Sequence, residues 1–393
     1  MEGGEVPDYL VEVGLIEEEK ESTRVLTLSR PKKLNCITLP MVRRLCDLYE
    51  SWETSNEVKL IILKGAGRAF CAGGDLRLFY KHGKQDDGLC PEVVYRKFWL
   101  DVHLHTYKKP MVALLHALVM GGGAGLMIPC RFKIATEKTV FSMPEASIGY
   151  HTDVGASYFL SHLPGHLGEY LAVTGARIDG AEMVSCGLVT HFVYSDKLQE
   201  LEDRLLSIHT ADEASISALI DQHASPVKLA ENSVMHSLET IDKIFSKETV
   251  EEILDALIKE SLDNKSEWIK ESIKVLKRSS PTGVKMTFQS IRQGRSQTFA
   301  ECMRREFRLT MNTLAGMISD DLYEGIRAIV IDKDNAPKWN PAAYTDVTQE
   351  NLSILFREFG DPAKELQVPS ENNHIERWNG KYETTVWCQE TPQ

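Results

Sequence analysis

The N-terminal half of the chain alternates between short apolar runs and stretches in which apolar positions recur at helical spacing. The apolar runs of strand length are residues 25–28, 60–63, 111–118, 132–135 and 139–141. The spacing of apolar residues over 41–52 predicts an amphipathic helix, and 91–107 is predicted to form another. This alternation is typical of an α/β domain. It is also compatible with a stacked spiral of strand–strand–helix repeats, although the sequence itself has no fixed-period repeat.

The second half of the chain has a different pattern. From about residue 196 to 260 it is polar and predicted to be helical, and Ser279 to Thr282 interrupts this region before predicted helices over 283–293 and 298–315. The tail from Asn372 onward is rich in polar residues and is expected to be loosely held.

These shifts predict three parts of the chain. The first is a strand-and-helix core over residues 1–195, and the second is a helical region over 196–345 that completes the fold. The third is a C-terminal extension over 346–393, expected to be partly loosely ordered.

Composition narrows the class of protein. The 393 residues are 42% hydrophobic and 26% charged, as in an ordinary soluble globular protein. The formal net charge of -12 argues against a nucleic-acid partner, because the phosphate backbone would be repelled. It does not exclude a small phosphorylated ligand held by a local basic patch or a helix N-terminus. No run approaches the ~20 apolar residues of a membrane span, so no membrane partner is expected.

The cysteines and the termini carry no strong signal. The eight cysteines are scattered, and neither they nor the histidines show zinc-like spacing, so no metal site is expected. The acidic N-terminus resembles neither a secretory signal nor a transit peptide, and the last three residues are not a peroxisomal signal. The cytoplasm is therefore predicted by elimination, with the peroxisome and mitochondrion left open.

Two glycine-rich segments each follow a predicted strand. They read GRAFCAGGDL over residues 67–76 and HALVMGGGAG over 116–125. Glycine inside a helix costs roughly 1 kcal/mol relative to Ala, so four glycines within five positions need a reason. Glycine lets a ligand approach the backbone, where free N–H groups can bind an oxyanion. An ordinary strand-to-helix turn and close helix–strand packing are the competing interpretations. The GxGxxG fingerprint of dinucleotide-binding domains is absent.

Two carboxylates lie close together in the segment that follows. Glu145 and Asp153 are separated by small and apolar residues and by turn-forming Gly149. A carboxyl group in such a setting can have a raised pKa and act in acid–base catalysis. The alternative is that both are helix caps or surface charges. Among the histidines, His151 stands out because it lies two residues before Asp153.

The order of these segments resembles one superfamily. AFCAGGDL, MGGGAGL and FSMPEASIG together resemble the crotonase (enoyl-CoA hydratase/isomerase) signature, and Arg30-Pro31 with Leu34-Asn35 resembles its opening. DVGASYFL, LAVTGAR, GLVTHFV, EFRL and YEGIRA further along are similar to 3-hydroxyisobutyryl-CoA hydrolases, the plant hydrolase-like proteins in particular. The resemblance covers about residues 20–345.

The resemblance implies a fold and a site. The fold would be a crotonase-type ββα spiral core with an additional, mostly helical C-terminal region. The backbone N–H groups of Gly74 and Gly122 would form an oxyanion hole for a thioester carbonyl, and Glu145 and Asp153 would be the catalytic carboxylates. Which carboxylate is the base or nucleophile stays open.

The same resemblance implies a ligand. The substrate would be an acyl-CoA, whose CoA moiety belongs to the substrate, so no separate cofactor is expected. The basic residues that could meet its phosphates include Lys33, Arg68 and Arg77, with none favoured. Members of the superfamily often form trimers, so a homo-oligomer is a possible state of this chain.

Three departures from the family pattern bear on activity. Gly125 stands where enoyl-CoA hydratases have a catalytic Glu, which favours hydrolysis over water addition. His151-Thr152 replaces the Phe-Pro of the hydrolases, which frees the backbone and adds a group expected to titrate near neutral pH. Lys97 aligns with a substrate-contacting Glu, which implies a different acyl preference.

These observations favour a hydrolase of 3-hydroxyisobutyryl-CoA or a related short hydroxyacyl-CoA, as in valine breakdown. One alternative is another crotonase activity, a hydratase or isomerase. The other is a weakly catalytic CoA-binding protein.

Overall fold

The computed structural model describes residues 6–85, 87–208 and 211–368. Within these ranges the chain forms ten strands and seventeen α-helices. The strands are β1 (Leu15–Lys20), β2 (Thr23–Leu28), β3 (Leu60–Gly65), β4 (Ala69–Cys71), β5 (Met111–Leu115), β6 (Leu118–Met120), β7 (Phe132–Ala135), β8 (Val140–Ser142), β9 (Ile178–Asp179) and β10 (His191–Phe192).

The strands form two sheets. The six-stranded sheet has the order β1-β2-β3-β5-β7-β10, and the four-stranded sheet has the order β4-β6-β8-β9. In the first sheet every neighbouring pair is parallel except β1 and β2. Between β3 and β6 successive strands alternate between the sheets, β3 to β4 and β5 to β6, and a helix follows each of these two pairs. This order is the strand–strand–helix repeat that the sequence predicts.

The helices are more numerous toward the C-terminus. They are α1 (Asp8–Val11), α2 (Leu39–Thr54), α3 (Leu76–His82), α4 (Leu89–His105), α5 (Gly122–Met127), α6 (Ala156–Phe159), α7 (Leu167–Thr174), α8 (Gly180–Ser185), α9 (Leu198–Leu206), α10 (Glu213–His223), α11 (Leu238–Phe245), α12 (Val250–Asp263), α13 (Glu267–Arg278), α14 (Pro281–Gly294), α15 (Phe299–Leu314), α16 (Asp321–Ile326) and α17 (Gln349–Phe356). The predicted α/β class and the helical C-terminal region are confirmed.

One predicted strand is wrong. The apolar run over residues 111–118 is not a single strand, because β5 ends at Leu115 and β6 begins at Leu118, in the other sheet. Ala117 between them has a φ of 64°, a left-handed conformation that interrupts an extended strand. Hydrophobicity alone could not reveal this corner, since both strands are apolar.

The first strand, β1, was missed because its sequence is largely charged. β1 contains Glu17, Glu18 and Glu19, and all three are exposed, so the strand has no apolar alternation. It lies at the edge of the six-stranded sheet and, among the strands of the described residues, pairs only with β2. Charged residues are common on edge strands because they discourage further pairing.

Contacts divide the chain into two compact units, each built from several segments. The first comprises the described residues of Met1–Asp75, Trp99–Phe141 and Ile178–Ala230. Its core lies between one face of the six-stranded sheet and helices α9 and α10. The buried residues there include Leu60, Ile62, Val112, Leu114, Phe132, Ile134, Leu201 and Ile220. Alternate strand residues fill this core because successive side chains point to opposite faces.

The second unit comprises the described residues of Leu76–Phe98, Ser142–Arg177 and Glu231–Gln393. One of its cores joins α14, α15 and α17 through Met286, Leu309, Leu352 and Leu355. The boundaries placed at residues 195 and 345 stay a prediction, since the compact units interleave along the chain. The tail from Asn372 lies outside the described residues. None of the helices in the described ranges has both the length and the apolar character needed to cross a membrane.

Candidate active site

Gly74 and Gly122 lie at the same edge of the four-stranded sheet. β4 and β6 are parallel neighbours, with Ala69 opposite Leu118, so the segments that follow them run side by side. A Cβ atom placed on Gly122 would lie 3.5 Å from the amide nitrogen of Gly74. Gly74 is exposed, Gly122 is half-buried, and neither amide donates a hydrogen bond within the described residues. Two neighbouring N–H groups are therefore open to an acceptor.

Glycine is required beside these two positions. Gly73 has a φ of 97°, which side chains with a Cβ rarely adopt. A Cβ atom on Gly123 would lie 2.6 Å from the carbonyl oxygen of Cys71, closer than real atoms approach. The glycines thus allow α5 to pack directly against the end of β4. The glycine segments can therefore serve both close helix–strand packing and the approach of a ligand to the backbone.

Arg30 and Asn35 explain the opening motif of the sequence. The Arg30 guanidinium is fully buried and contacts the carboxylates of Asp8, Glu12 and Asp75. The Asn35 side-chain amide donates to the carbonyl oxygens of Ala66, Ala69 and Phe70. These contacts hold the segment over residues 66–75, which contains Gly74, at both of its ends.

A backbone bridge fixes the last residues of that segment. The Ile37 N–H donates to the Gly73 carbonyl at 2.8 Å, and the Asp75 N–H donates to the Ile37 carbonyl at 2.9 Å. Gly74 lies between these two bonds, so its amide direction is set by the backbone on both sides.

Glu145 opens a 3₁₀ turn, Glu145–Ile148, shortly after β8. It is buried, and its Oε2 has no hydrogen-bond partner within the described part of the chain. Burial raises the pKa of Glu145 well above its usual value, and the negative charge of Asp153 raises it further. A buried carboxyl group with an unused oxygen is suited to exchange a proton with a ligand.

Asp153 lies in a strained turn. Val154, the next residue, has a φ of 57°, which is rare for a β-branched side chain. The buried carboxylate of Glu306 holds this turn by accepting hydrogen bonds from the N–H of Gly155 at 2.7 Å and of Ser157 at 2.7 Å. The strain is thus maintained by an interaction from a distant helix, α15.

His151 and Thr152 are both fully buried beside Asp153. Burial, together with a smaller effect of the positive charge of Arg305, lowers the pKa of His151 to about 3. The expectation that His151 titrates near neutral pH is therefore wrong, because desolvation outweighs its ordinary pKa. The Thr152 N–H donates to Thr287 Oγ1 at 3.4 Å, whereas the Thr152 hydroxyl has no partner among the described residues.

Lys97 lies on α4 and is buried, in the same compact unit as Glu145 and Asp153. Gly125 is buried within α5. Of the basic residues considered for phosphate binding, Lys33 and Arg68 are exposed and Arg77 is half-buried.

The structure thus brings the predicted residues together in two sets. One set is Gly74 with Gly122 in the first unit, and the other is Glu145, His151, Thr152 and Asp153 in the second. In the described ranges, no group of three or more His, Cys, Asp or Glu side chains is arranged to hold a metal ion.

Sequence reasoning missed the groups that surround Asp153. Tyr150 donates from its hydroxyl to Asp153 Oδ2 at 3.1 Å, and it contacts Thr310 Oγ1 at 2.7 Å. Thr310 follows the EFRL motif directly, and Glu306 opens it. More than a hundred residues separate α15 from Asp153 along the chain. The EFRL motif was the one feature of the sequence that pointed to this part of α15.

Comparison with known proteins gives the context for this geometry. The sequence matches the enoyl-CoA hydratase/isomerase family over residues 23–356. It is 51% identical over 374 residues to 3-hydroxyisobutyryl-CoA hydrolase-like protein 5 of Arabidopsis thaliana, covering 95% of this chain and 96% of that protein. The mitochondrial 3-hydroxyisobutyryl-CoA hydrolase of Homo sapiens is 40% identical over 347 residues, covering 87% of this chain and 88% of that protein.

A solved structure shows the same fold. A carnitinyl-CoA dehydratase from Mycobacterium thermoresistibile matches with a TM-score of 0.81 and 31% identity, covering 90% of this chain and 98% of that one. The predicted crotonase-type fold is thereby confirmed. The chain therefore belongs to the enoyl-CoA hydratase/isomerase family of the crotonase superfamily, and it is similar along most of its length to 3-hydroxyisobutyryl-CoA hydrolases.

Proposed function

We propose that this protein hydrolyses acyl-CoA thioesters and that its substrate is 3-hydroxyisobutyryl-CoA or a related short hydroxyacyl-CoA. The names of its relatives support the reaction class. The observation that carries the proposal is the state of Glu145. It is buried, has an unused oxygen and has a pKa raised by burial and by neighbouring Asp153. Such a pair can supply both a base and an acid for hydrolysis.

The adjacent amides of Gly74 and Gly122 support the same reaction. They would donate to the thioester oxygen as it gains negative charge in the tetrahedral intermediate. Each such donor is worth about 3–4 kcal/mol of transition-state stabilisation in well-studied hydrolases. Because both donors are backbone groups fixed by packing, they would need little reorganisation during the reaction.

The reaction balances without a cofactor. Water loses one proton to a carboxylate as its oxygen bonds to the thioester carbon. The carbon–sulfur bond then breaks, and its electron pair leaves on sulfur, which takes a proton from the second carboxyl group. The products are the free acid and CoA thiol. The CoA moiety would serve as the handle of the substrate, and no separate cofactor is proposed.

The absence of a second glutamate favours hydrolysis over hydration. Gly125 has no side chain to act on a double bond, so Glu145 would have no second glutamate to work with at that position. The buried positions of Lys97, His151 and Thr152 make them our candidates for residues that set the acyl preference.

Stoichiometry tests the proposed function. We expect the purified protein to release CoA thiol and free acid in equal amounts from 3-hydroxyisobutyryl-CoA. In ¹⁸O-labelled water one labelled oxygen should enter the acid, because water supplies it. Hydration of a 2-enoyl-CoA without release of CoA would contradict the proposal and favour a hydratase.

The biological setting follows from the substrate. Cleavage of 3-hydroxyisobutyryl-CoA would place the protein in valine breakdown. We retain the cytoplasm as the predicted compartment, with the mitochondrion open because the human relative is named mitochondrial. Microscopy of a full-length fluorescent fusion distinguishes the two.

A further inference from the structure

One face of helix α15 contacts the chain on both sides of Asp153. Glu306 accepts a hydrogen bond from the N–H of Gly155, which follows Asp153, at 2.7 Å. Thr310 Oγ1 lies 2.7 Å from the hydroxyl of Tyr150, which precedes Asp153. Glu306 and Thr310 are four positions apart, so their side chains lie on the same face of the helix. All of these residues belong to the second compact unit.

The turn after Asp153 needs such support. Val154 and Gly155 both adopt left-handed φ angles, of 57° and 83°. Glycine tolerates this conformation, whereas a β-branched residue does not adopt it without strain. A hydrogen bond of 3.0 Å from the Ala156 N–H to the Asp153 carbonyl oxygen closes the turn. A strained residue of this kind persists only where the surrounding structure determines its conformation.

Glu306 supplies contacts that fit a carboxylate specifically. Its Oε1 accepts from the Ser157 N–H at 2.7 Å and from the Ser157 hydroxyl at 2.5 Å, and its Oε2 accepts from Gly155. Arg305 Nη2 donates to Ser157 Oγ at 2.7 Å, so the hydroxyl hydrogen is left to bind Glu306. All three of these contacts come from donors, which a carboxylate can accept with its two oxygens. An amide at this position would turn its NH₂ group toward one of the donors and lose a contact.

We propose that Glu306 is a positioning residue, which holds the left-handed turn at Val154 and thereby keeps the Asp153 carboxylate beside Glu145. This role rests on the proposed function, because it matters for turnover only if Asp153 takes part in the reaction. Glu306 is fully buried and acts through Asp153, not on the substrate. Because the support comes from α15, the helical C-terminal region completes the candidate site.

Turnover gives the first test of Glu306. Glu306→Gln keeps the size of the side chain but loses a contact to the turn. Above about pH 7, where the wild-type carboxylate is ionised, we expect kcat for CoA release to fall by about 10²-fold, as for a misplacement of about 1 Å. KM should change little, because Glu306 does not bind the substrate. Ser157→Ala removes only the hydroxyl contact, so its loss of kcat should be smaller.

Glu169→Gln is the matched control. Glu169 is also fully buried, and its carboxylate pairs with Arg292 and Arg295. A general loss of packing should affect both glutamine variants alike, whereas a positioning role lowers kcat per folded molecule in Glu306→Gln only. An unchanged kcat in Glu306→Gln, or an equal loss in both variants, would overturn the positioning role.

Hydrogen exchange gives a readout that needs no substrate. In the wild type the amides of Gly155 and Ser157 are both bonded to Glu306. They should exchange faster in Glu306→Gln, since the turn is no longer held by all of its contacts. In Glu169→Gln they should exchange at the wild-type rate.

Infrared spectroscopy shows whether Asp153 stays beside Glu145. The negative charge of Asp153 contributes to the raised pKa of Glu145, so displacement of Asp153 should lower the pH at which the Glu145 carboxylic-acid band is lost. That band is the one that Glu145→Gln removes in each background. Glu306→Asp keeps the charge at position 306 but is one carbon shorter, so it cannot hold the turn in the same way. We expect a lower midpoint in Glu306→Asp, in the same direction as in Asp153→Asn.

The groups around the turn stay unchanged in the Glu306 variants, so they do not account for such a shift. The charged or titratable groups that face it from its own segment, from α15 and from α16 are Tyr150, His151, Cys302, Arg305 and Asp321.

The outcomes separate the positioning role from the proposed function. An unchanged Glu145 midpoint in Glu306→Asp, or unchanged exchange at Gly155 and Ser157 in Glu306→Gln, overturns the positioning role. If Glu306→Gln does not fold, Glu306→Asp and Ser157→Ala decide. A wild type that releases no CoA contradicts the proposed function, while the exchange and infrared results still test whether Glu306 holds Asp153 in place.

Discussion

At the scale of single residues, burial rather than residue type decides which groups can take part in chemistry. Histidine is expected to titrate near neutral pH, yet His151 stays neutral because it is fully buried. Glutamate is expected to be ionised, yet burial raises the pKa of Glu145 well above its usual value. Residue type alone would therefore suggest that His151 exchanges protons near neutral pH and that Glu145 does not, whereas their burial indicates the reverse.

Glu145 gives the first prediction at this scale. Glu145→Gln keeps the shape of the side chain but removes proton exchange. We expect kcat for CoA release to fall by about 10²–10⁴-fold, the usual contribution of general acid–base catalysis. KM should change little, because Gln fills the same space. The matched control is Glu213→Gln, which alters an exposed carboxylate paired with Arg131 and should leave kcat unchanged. Full activity of Glu145→Gln would rule out proton exchange by Glu145 in the reaction.

Glu306 gives a prediction about stability and pH. Burial outweighs the hydrogen bonds that Glu306 accepts and raises its pKa to about 7. Its folded pKa thus lies above its unfolded value of 4.5. The stability that it contributes is therefore fully present below pH 4.5 and is lost as pH rises through about 7.

Glu306→Gln should remove this pH dependence. The free energy of unfolding of the wild type relative to the variant should decline by up to about 1.4 kcal/mol per pH unit in that window. Urea denaturation at several pH values measures it, with Glu267→Gln as an exposed control. A difference that does not vary with pH contradicts the raised pKa.

At the scale of secondary structure, the glycine segments combine packing with an open backbone. α5 contacts the end of β4 so closely that Gly123 has no room for a side chain. The same contact sets the spacing of the Gly74 and Gly122 amides. A change in packing should therefore reach the proposed oxyanion hole.

Gly123→Ala tests this coupling. Its Cβ would meet the Cys71 carbonyl oxygen at 2.6 Å, so α5 must move away from β4. We expect a loss of about 1–3 kcal/mol in the free energy of unfolding, as for other overpacked cores. We also expect kcat to fall more than that of Gly360→Ala, whose added Cβ meets nothing within 4 Å. Wild-type kcat in Gly123→Ala would show that the spacing of the two amides does not matter.

Elements with a clear apolar period could be predicted from the sequence, and the others could not. The strand at Leu60–Gly65 and the helices at Leu39–Thr54 and Phe299–Leu314 follow from apolar spacing. β1 was missed because its exposed glutamates hide the strand period. The corner at Ala117 was missed because it depends on a backbone angle within an apolar run.

The same limit applies to the candidate site. Short motifs make Gly74, Gly122, Glu145 and Asp153 the candidate site residues, since each lies within a contiguous signature. Thr310 and Glu306 come from α15, far along the sequence, and only the folded chain brings them to the Asp153 turn. Single-sequence patterns carry no information about such distant pairs.

At the scale of the whole molecule, the order of the motifs predicts the family more securely than any one of them. Each glycine segment alone fits an ordinary turn, and each carboxylate alone fits a surface charge. Their order along one chain matches the enoyl-CoA hydratase/isomerase family over residues 23–356. The acyl group is a separate question, for which Lys97 and His151 are the proposed specificity residues.

The central claim is that this protein cleaves acyl-CoA thioesters with the help of Asp153. The most direct measurement is CoA thiol release across a panel of acyl-CoAs, for the wild type and for Asp153→Asn. We predict the highest kcat/KM for 3-hydroxyisobutyryl-CoA or another short hydroxyacyl-CoA, and a loss of at least about 10²-fold in the variant. Failure of the wild type to release CoA from any ester that it binds, or equal rates for wild type and Asp153→Asn, would contradict the claim.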